Sequence, residues 1–461
     1  MANPSAAKPT LLELSIEDLA FGGRGVARHD GRVVLVEGGF PGDTVQAQVY
    51  KRRRNLWEAR AVRVITPSPD RVAARCGHVG TCGGCKLQEY DYEKQLAAKV
   101  HQVEEALRRL GGVTEPPMRP AVPAPEPFAY RNKMEFSYAV ERESGELICG
   151  LHYAGRFDRV FDLDECHLVP PTFAAAVRAS RAFLKERRVP AYDQRGHTGY
   201  ARFLVVRRSV ASGELLVNFV TATGDYTLRE GFTAALRIAV PEITGIVHTI
   251  NDRRAQIATG DIQDVWFGRG ALTERLGPFE FDISPQSFFQ TNSRQAAVLY
   301  DLVVRAAEPG PDDTVLDLYS GTGTIGLYLA PLVRSVHCIE QVEEAVGAAR
   351  TNALRNGVTN VRFETVDTLV WLKSASRSCD LTASSLLVVL DPPRAGLHPD
   401  VPRLVAATGA RRIVYVSCNP AALARDVGLF ATHGYRLLSA EPIDMFPHTA
   451  HVECVAVFVP R

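Results

Sequence analysis

The sequence predicts a multidomain α/β protein: a small N-terminal β-barrel, a central α+β segment and a C-terminal doubly wound sheet. Three observations predict it. Seven glycines between Gly22 and Gly42 punctuate short runs that alternate valine with polar residues, as small barrels do. From about residue 286 onward, apolar strand patterns alternate with helical ones, which is how a parallel sheet covered on both faces reads. Finally, VLDLYSGTGTIGLYLA at 315–330 sets Gly321, Gly323 and Gly326 between an apolar strand and a helix start, the spacing of a nucleotide-cofactor turn.

At 461 residues the chain exceeds the usual size of one hydrophobic core. No apolar run reaches the ~18 residues of a membrane span, and MANPSAAKPTLLEL lacks the basic flank and apolar stretch of a signal peptide. A cytoplasmic, monomeric enzyme with no membrane partner is expected. The net charge of +1 hides an asymmetry, because residues 1–75 carry 12 Lys+Arg against 8 Asp+Glu. Within them, KRRRNLWEARAVR at 51–63 brackets Trp57 with basic residues. Such a patch suits phosphate neutralisation with base stacking, or is simply a solvated basic turn.

Taken in order, residues 11–65 read as the barrel and TPSPD at 66–70 as a linker. A helix over 93–112 carries Leu96, Val100, Val103, Leu107 and Leu110 on one stripe, suited to packing on the catalytic domain. PPMRPAVPAPEPF at 116–128 cannot continue it. Residues 129–285 are strand-rich with two helical patterns, and 371–386 look like a polar insert.

Nine cysteines in a cytoplasmic chain argue for metal binding or catalysis rather than disulfides. Cys76, Cys82 and Cys85 form C-x5-C-x2-C with glycines at 77, 80, 83 and 84. Three thiolates need a fourth partner, for which Cys166 in DLDECHLVPP is the first candidate and Cys149 the second. Four thiolates suit tetrahedral zinc or a [4Fe–4S] cluster, and the residues alone lean slightly to zinc. The C-x3-C-x2-C spacing of radical enzymes is absent, so a cluster here would hold structure.

The glycine turn by itself fits NAD equally well. Asp317, four residues before Gly321, favours S-adenosylmethionine, since a carboxylate can meet a cationic methionine end but repels a pyrophosphate. Glu340 ends the second strand, SVHCIE, where an acid accepts ribose hydroxyls, and Asp367 ends a third within reach of adenine.

LLVVLDPPRAGL at 386–397 and RRIVYVSCNP at 411–420 read as the fourth and fifth strands, from which Asp391 and Cys418 emerge side by side. Asn419 can cap the next helix and Pro420 suits its first position, so Cys418 sits where a helix N-terminus favours thiolate. A thiolate beside a methyl donor solves one chemical problem. The C5 carbon of uracil is too poor a nucleophile until a thiolate adds at C6. Removing the C5 proton afterwards needs a base, for which Glu453, His448 and His451 are the candidates.

FGGRGVAR, RCGHVGTCGGCKLQ, YRNKMEFS, SPQSFFQTN, DLYSGTGTIGL, LDPPRAGL, VYVSCNP and DMFPHTAHVE appear in one order across nearly the whole chain. The sequence thereby resembles the RNA uracil-5-methyltransferases, in particular the bacterial branch with a TRAM domain and a [4Fe–4S] cluster. The resemblance implies an OB-like, RNA-binding TRAM domain over 9–66 and a central α+β domain with an iron-sulfur cluster over 67–285. It implies a Rossmann-like α/β methyltransferase domain using S-adenosylmethionine over 286–461. Cys76, Cys82, Cys85 and Cys166 would hold the cluster. Gln290, Tyr319, Glu340 and Asp391 would line the cofactor and methyl-transfer pocket, with Thr324 and Asp367 as further matches. Cys418 matches the nucleophile and Glu453 the proton acceptor.

The TRAM module and the cluster point to 23S ribosomal RNA ahead of transfer RNA. The rival readings are a tRNA uridine methyltransferase, a methyltransferase for a small molecule or protein, which has no use for Cys418, and an RNA-binding assembly factor with a relict methyltransferase fold. The target base must be flipped or in a loop to expose C5 and C6. Phe288 and Phe289 are candidates to stack on it, one of them expected in the core instead, and Arg131 and Lys133 are candidate phosphate contacts.

Overall fold

A computed structural model of the chain describes residues 10–375 and 385–461; the start read for a signal peptide and most of the 371–386 stretch lie outside them. The barrel has six strands: β1 (Thr10–Ser15), β2 (Asp18–Ala20), β3 (Arg24–His29), β4 (Arg32–Glu37), β5 (Thr44–Arg52) and β6 (Leu56–Thr66). They bond in the order β1-β5-β6-β4-β3-β2. Alternation along β4, β5 and β6 turns Val34, Val36, Val45, Ala47 and Ala59 inward to a small closed core. The guanidiniums of Arg52 and Arg32 lie over the Trp57 ring, 4.8 and 5.4 Å from the centroid, so the basic residues and the aromatic of this segment do meet on one surface. The 66–70 linker is not loose. The buried Asp43 carboxylate accepts the Ser68 N–H at 2.8 Å and both arms of Arg71 at 2.8 and 2.9 Å, anchoring the chain where it leaves the barrel.

α1 (Tyr92–Arg109) starts at Asp91, whose carboxylate caps the Glu93 and Lys94 N–H groups. Its buried face is Gln95, Lys99, Val103 and Leu107, while Leu110 is 61% exposed just past the last turn. The expected apolar stripe is therefore half polar. The reason is the partner surface, since Val103 and Leu107 enter the core of the C-terminal domain, while Lys99 meets Asp444 of that domain at 2.7 Å.

The central domain is a seven-stranded sheet of β7 (Lys133–Val140), β8 (Leu147–His152), β9 (Val160–Asp162), β10 (Ala201–Arg208), β11 (Leu215–Thr221), β12 (Ile243–Ile250) and β13 (Ile262–Gly268). Its order is β13-β12-β11-β10-β7-β8-β9, with only β11 and β12 parallel. α2 (Pro171–Glu186) and α3 (Arg229–Ala239) bury Phe173, Val177, Leu184, Phe232 and Leu236 in its core.

A hairpin of β14 (Leu272–Leu276) and β15 (Phe279–Ile283) follows. Although the sequence boundary at 285/286 groups it with the central domain, Leu272, Leu276, Phe279, Phe281 and Ile283 bury in one core with Ala296, Leu299 and Val303 of α4 (Ser293–Ala307). The C-terminal sheet then runs through β16 (Thr314–Leu318), α5 (Thr324–Leu329), β17 (Ser335–Glu340), α6 (Glu343–Arg355), β18 (Val361–Thr365) and α7 (Thr368–Ala375). It continues with β19 (Leu386–Leu390), α8 (Asp400–Ala407), β20 (Arg412–Ser417), α9 (Pro420–Thr432), β21 (Tyr435–Ile443) and β22 (Glu453–Pro460). The order is β18-β17-β16-β19-β20-β22-β21, parallel except for β22. Its apolar strands bury on both faces, as a doubly wound sheet requires.

Candidate active site

Strand order reverses between β16 and β19, so the segments leaving their carboxyl ends diverge and open a crevice. A cavity of about 620 Å3 lies there. After β16 the chain turns at Tyr319, whose φ of 63° is left-handed, a conformation that costs a non-glycine residue ~1–3 kcal/mol and marks a site held by its surroundings. The turn then presses against its neighbours. A Cβ on Gly323 would stand 2.8 Å from the Phe363 ring, and one on Gly326 2.6 Å from Cys338 Sγ, so the fit needs glycine. Glu340, at the end of β17, accepts the Gly321 N–H at 3.0 Å and those of Gln341 and Val342 at 2.8 and 2.9 Å.

Asp391 follows β19, Cys418 follows β20, and Glu453 opens β22. The antiparallel register of β20 with β22 sets Ser417 opposite Cys454, so the residue after one and the residue before the other emerge side by side. Gln290, Tyr319, Thr324, Glu340, Asp391, Cys418 and Glu453 all line the one cavity. Asp367 does not: it is exposed, and its carboxylate instead accepts the Val370 N–H at 3.0 Å in the first turn of α7. Asp317 also falls outside. It is fully buried beneath the glycine turn, its carboxyl 3.8 Å from Cys338 Sγ and 3.1 Å from where a Cβ on Gly326 would stand.

The electrostatics are those of a site short of positive charge. Burial raises Asp391 to about 7, and burial followed by the Asp391 charge raises both Glu453 and Asp317 to about 8. Asp317 also has one buried carboxyl oxygen without a hydrogen bond. Acids held above their ordinary range gain from a cationic guest, so the cavity fits a sulfonium better than a pyrophosphate. The thiolate expected from the helix N-terminus is a different matter. Burial first, and the Glu453 carboxylate next, push the Cys418 thiol up, although Asn419 does cap α9 by accepting the Ala421 N–H at 3.1 Å. The cation that opposes them is Arg394, which favours the charged forms of both Cys418 and Glu453.

Arg394 is the cavity-lining cation that the sequence reading passed over, although the DPPR motif containing it was in view. It donates to His451 Nδ1 at 2.6 Å. Burial, then Arg394, lowers His451 to about 4, and burial lowers His448 to about 4, so each imidazole is a weaker base than Glu453. His448 lies away from the cavity wall beside Gln95, while His451 lines it. Of the paired aromatics, both border the cavity, but Phe289 is 8% exposed and packs in the core whereas Phe288 is 71% exposed. Arg131 lines the cavity; Lys133 does not, and pairs with Glu135 at 2.5 Å.

Cys76, Cys82, Cys85 and Cys166 line a second cavity of about 290 Å3, and Cys149 is buried elsewhere in the central core. Burial, with the neighbouring thiols adding, pushes Cys85 to about 12 and Cys166 to about 11. Among the described residues no group of three or more His, Cys, Asp or Glu converges as one metal ion needs. Arg131 borders this cavity as well as the larger one.

Comparison with known proteins agrees with this architecture. A family profile described as tRNA (Uracil-5-)-methyltransferase matches residues 271–461, and one described as TRAM domain matches residues 10–62. Relatives include an uncharacterized RNA methyltransferase of Chlorobaculum tepidum, 41% identical across 98% of this chain and 96% of its own, and another of Nitratidesulfovibrio vulgaris, 39% identical across 97% and 95%. The solved tRNA (uracil-54, C5)-methyltransferase of Pyrococcus abyssi, in complex with S-adenosyl-L-homocysteine, superposes with a TM-score of 0.76 at 30% identity, covering 97% of this chain and 99% of that one. Among the described residues no helix is long and apolar enough to cross a membrane. With the cofactor crevice, the N-terminal barrel and end-to-end relatives all in agreement, the chain belongs to the S-adenosylmethionine-dependent RNA uracil-5-methyltransferases that carry a TRAM domain.

Proposed function

We propose that this enzyme methylates C5 of a specific uridine in 23S ribosomal RNA through a temporary bond between Cys418 and C6 of the base. The observation that carries the reading is that Cys418, Glu453, Asp391 and Arg394 line one cavity with the cofactor turn. The bound S-adenosylmethionine supplies an electrophilic methyl group. Arg394 draws the Cys418 proton equilibrium toward thiolate, and the thiolate adds to C6 of the uracil, moving the C5=C6 electron pair toward C5 and O4. With C5 now nucleophilic and methylated, Glu453 removes the C5 proton. The released pair re-forms C5=C6 and expels the thiolate. Gln290 and Phe288, which border the cavity on its central-domain side, are suited to orient the base by its polar edge and its face. A relict assembly factor has no need of a buried acid with a pKa near 8 beside a thiol.

The four-cysteine cavity fits a [4Fe–4S] cluster better than zinc. The irons of a cubane occupy separate corners, so its thiolates stand farther apart than those around a single ion, and the four cysteines here line one cavity of about 290 Å3. Cys76, Cys82, Cys85 and Cys166 would hold it. Thiols raised to about 11 and 12 by burial regain an ordinary environment only when charge on the bound metal offsets them.

Transfer RNA is the second reading, favoured by one observation. The Pyrococcus abyssi enzyme matches this chain along 97% of its length, so the barrel does not by itself separate the two substrate classes. Mass mapping of 5-methyluridine in ribosomal and transfer RNA from cells lacking the gene tests both. A methyl missing from 23S RNA supports the first reading, one missing from tRNA replaces it with the second, and none missing from either overturns the activity.

A pH dependence follows from the site. Glu453 must be a carboxylate to act as a base, and its raised value means that the active form grows as pH rises through about 8. Cys418, shifted in the same direction, must also lose its proton. We expect kcat/KM to increase by at least tenfold per pH unit below about 7.5 and to go on rising above about 8, because the thiol, itself shifted above its ordinary value, still has a proton to lose there. A flat profile between pH 6 and 8 contradicts these roles.

A further inference from the structure

Cys418, Arg394 and His451 also border a third cavity, of about 360 Å3, on the side of the nucleophile away from the cofactor turn. Its far wall comes from the two other domains: Phe21 and Gly22 in the β2–β3 turn of the barrel, Gly84 and Lys86 in the cysteine loop. We propose that this cavity takes the nucleotide next to the target uridine, with its phosphate between Arg394 and Lys86 and its base on Phe21. The inference rests on the uridine-methylating reading above and adds the subsite that selects the neighbouring nucleotide.

The cavity's continuity with the reaction site fixes the occupant. A strand delivering its base to Cys418 must carry its flanking phosphates past the same residue, and the space beside it is bordered by two cations and one aromatic ring. Phe21 is 40% exposed, unusual for a phenylalanine that packing would otherwise cover. Lys86 Nζ donates to the Gly22 carbonyl at 3.0 Å, which leaves ammonium hydrogens for an anion. The barrel turn is also held in place. A Cβ on Gly23 would stand 3.1 Å from both Ala450 and Lys86, so the turn touches the cysteine loop and the catalytic loop together. This contact helps hold Phe21 of the barrel on the wall of a cavity that Cys418 also lines.

The test uses the full-length enzyme and a synthetic RNA hairpin carrying the mapped uridine, with and without an abasic site on its 5′ or 3′ side. In the unmodified hairpin, Phe21→Ala is expected to raise KM about tenfold, the scale of one base–aromatic stack. An abasic neighbour on one side should do the same to the wild type and add nothing further in Phe21→Ala. Lys86→Ala should lower the slope of log affinity against log salt by about one. If Phe21→Ala and the abasic substitutions act additively, or neither changes KM, the subsite is overturned while methylation by the wild type still stands. If the wild type does not methylate the hairpin at all, the underlying reading has failed instead.

Discussion

Glu453→Gln should convert the enzyme into one that traps its own RNA. The glutamine keeps the shape of the side chain but cannot take the C5 proton, so the thiolate, already bonded to C6, loses its route of departure. Loss of a positioned base typically costs 10²–10⁴-fold, which slows resolution of the adduct far more than its formation. Denaturing gels should show an enzyme–RNA band, and mass analysis should place a methylated nucleotide on the peptide containing Cys418. Cys418→Ala should neither methylate nor form the band. Comparing Glu453→Gln with His451→Ala separates Glu453 from the histidine that shares its cavity. Should His451→Ala trap RNA while Glu453→Gln turns over at the wild-type rate, the base has been misassigned. The geometry argues otherwise, since His451 already accepts a hydrogen bond from Arg394 at 2.6 Å and is lowered to about 4, whereas Glu453 is raised to about 8.

Lys99→Met should destabilise the protein by about 3–5 kcal/mol, the cost of leaving one member of a buried ion pair unpaired. Lys99 and Asp444 are 2% and 1% exposed and meet at 2.7 Å, with the ammonium also donating to the Phe446 carbonyl at 3.3 Å. The stranded carboxylate would lie at the root of the segment that leads to Glu453. Neighbouring bonds clamp the same segment: Gln95 accepts the His448 N–H at 3.0 Å, the Leu87 N–H reaches the His448 carbonyl at 3.0 Å, and Tyr130 donates to the Pro447 carbonyl at 3.1 Å. Urea unfolding followed by tryptophan fluorescence and by far-UV dichroism reads the loss, and hydrogen exchange should show it first at 444–451. The double variant Lys99→Met with Asp444→Leu should recover most of the stability, because two apolar groups replace the pair without an orphan charge. If the single variant is as stable as the wild type, the pair contributes nothing.

The C-terminal fold was plain in the residues because its central strands β16, β19 and β20 are buried on both faces and read as nearly continuous apolar runs, and because the glycine turn directly follows the first of them. Local chemistry likewise singled out the cysteine group and the thiol ahead of Pro420, since spacing and capping act over short stretches. The buried face of α1 was misjudged for the opposite reason. A lysine and a glutamine on a helix read as solvent-facing until Asp444 and His448, some 345 and 353 positions later, arrive to satisfy them. Asp367 was placed at the cofactor by its strand-end position, and its carboxylate also caps the first turn of α7, outside the lining of the cavity. Arg394 went unassigned because nothing near it in the chain says that it will face Cys418, Glu453 and His451. Chain order and residue type therefore settle which groups are available and where each strand ends. Which of them share one cavity, and which charges they acquire there, depends on strand register and domain docking, because burial and Coulomb forces act through space and take no account of separation along the chain.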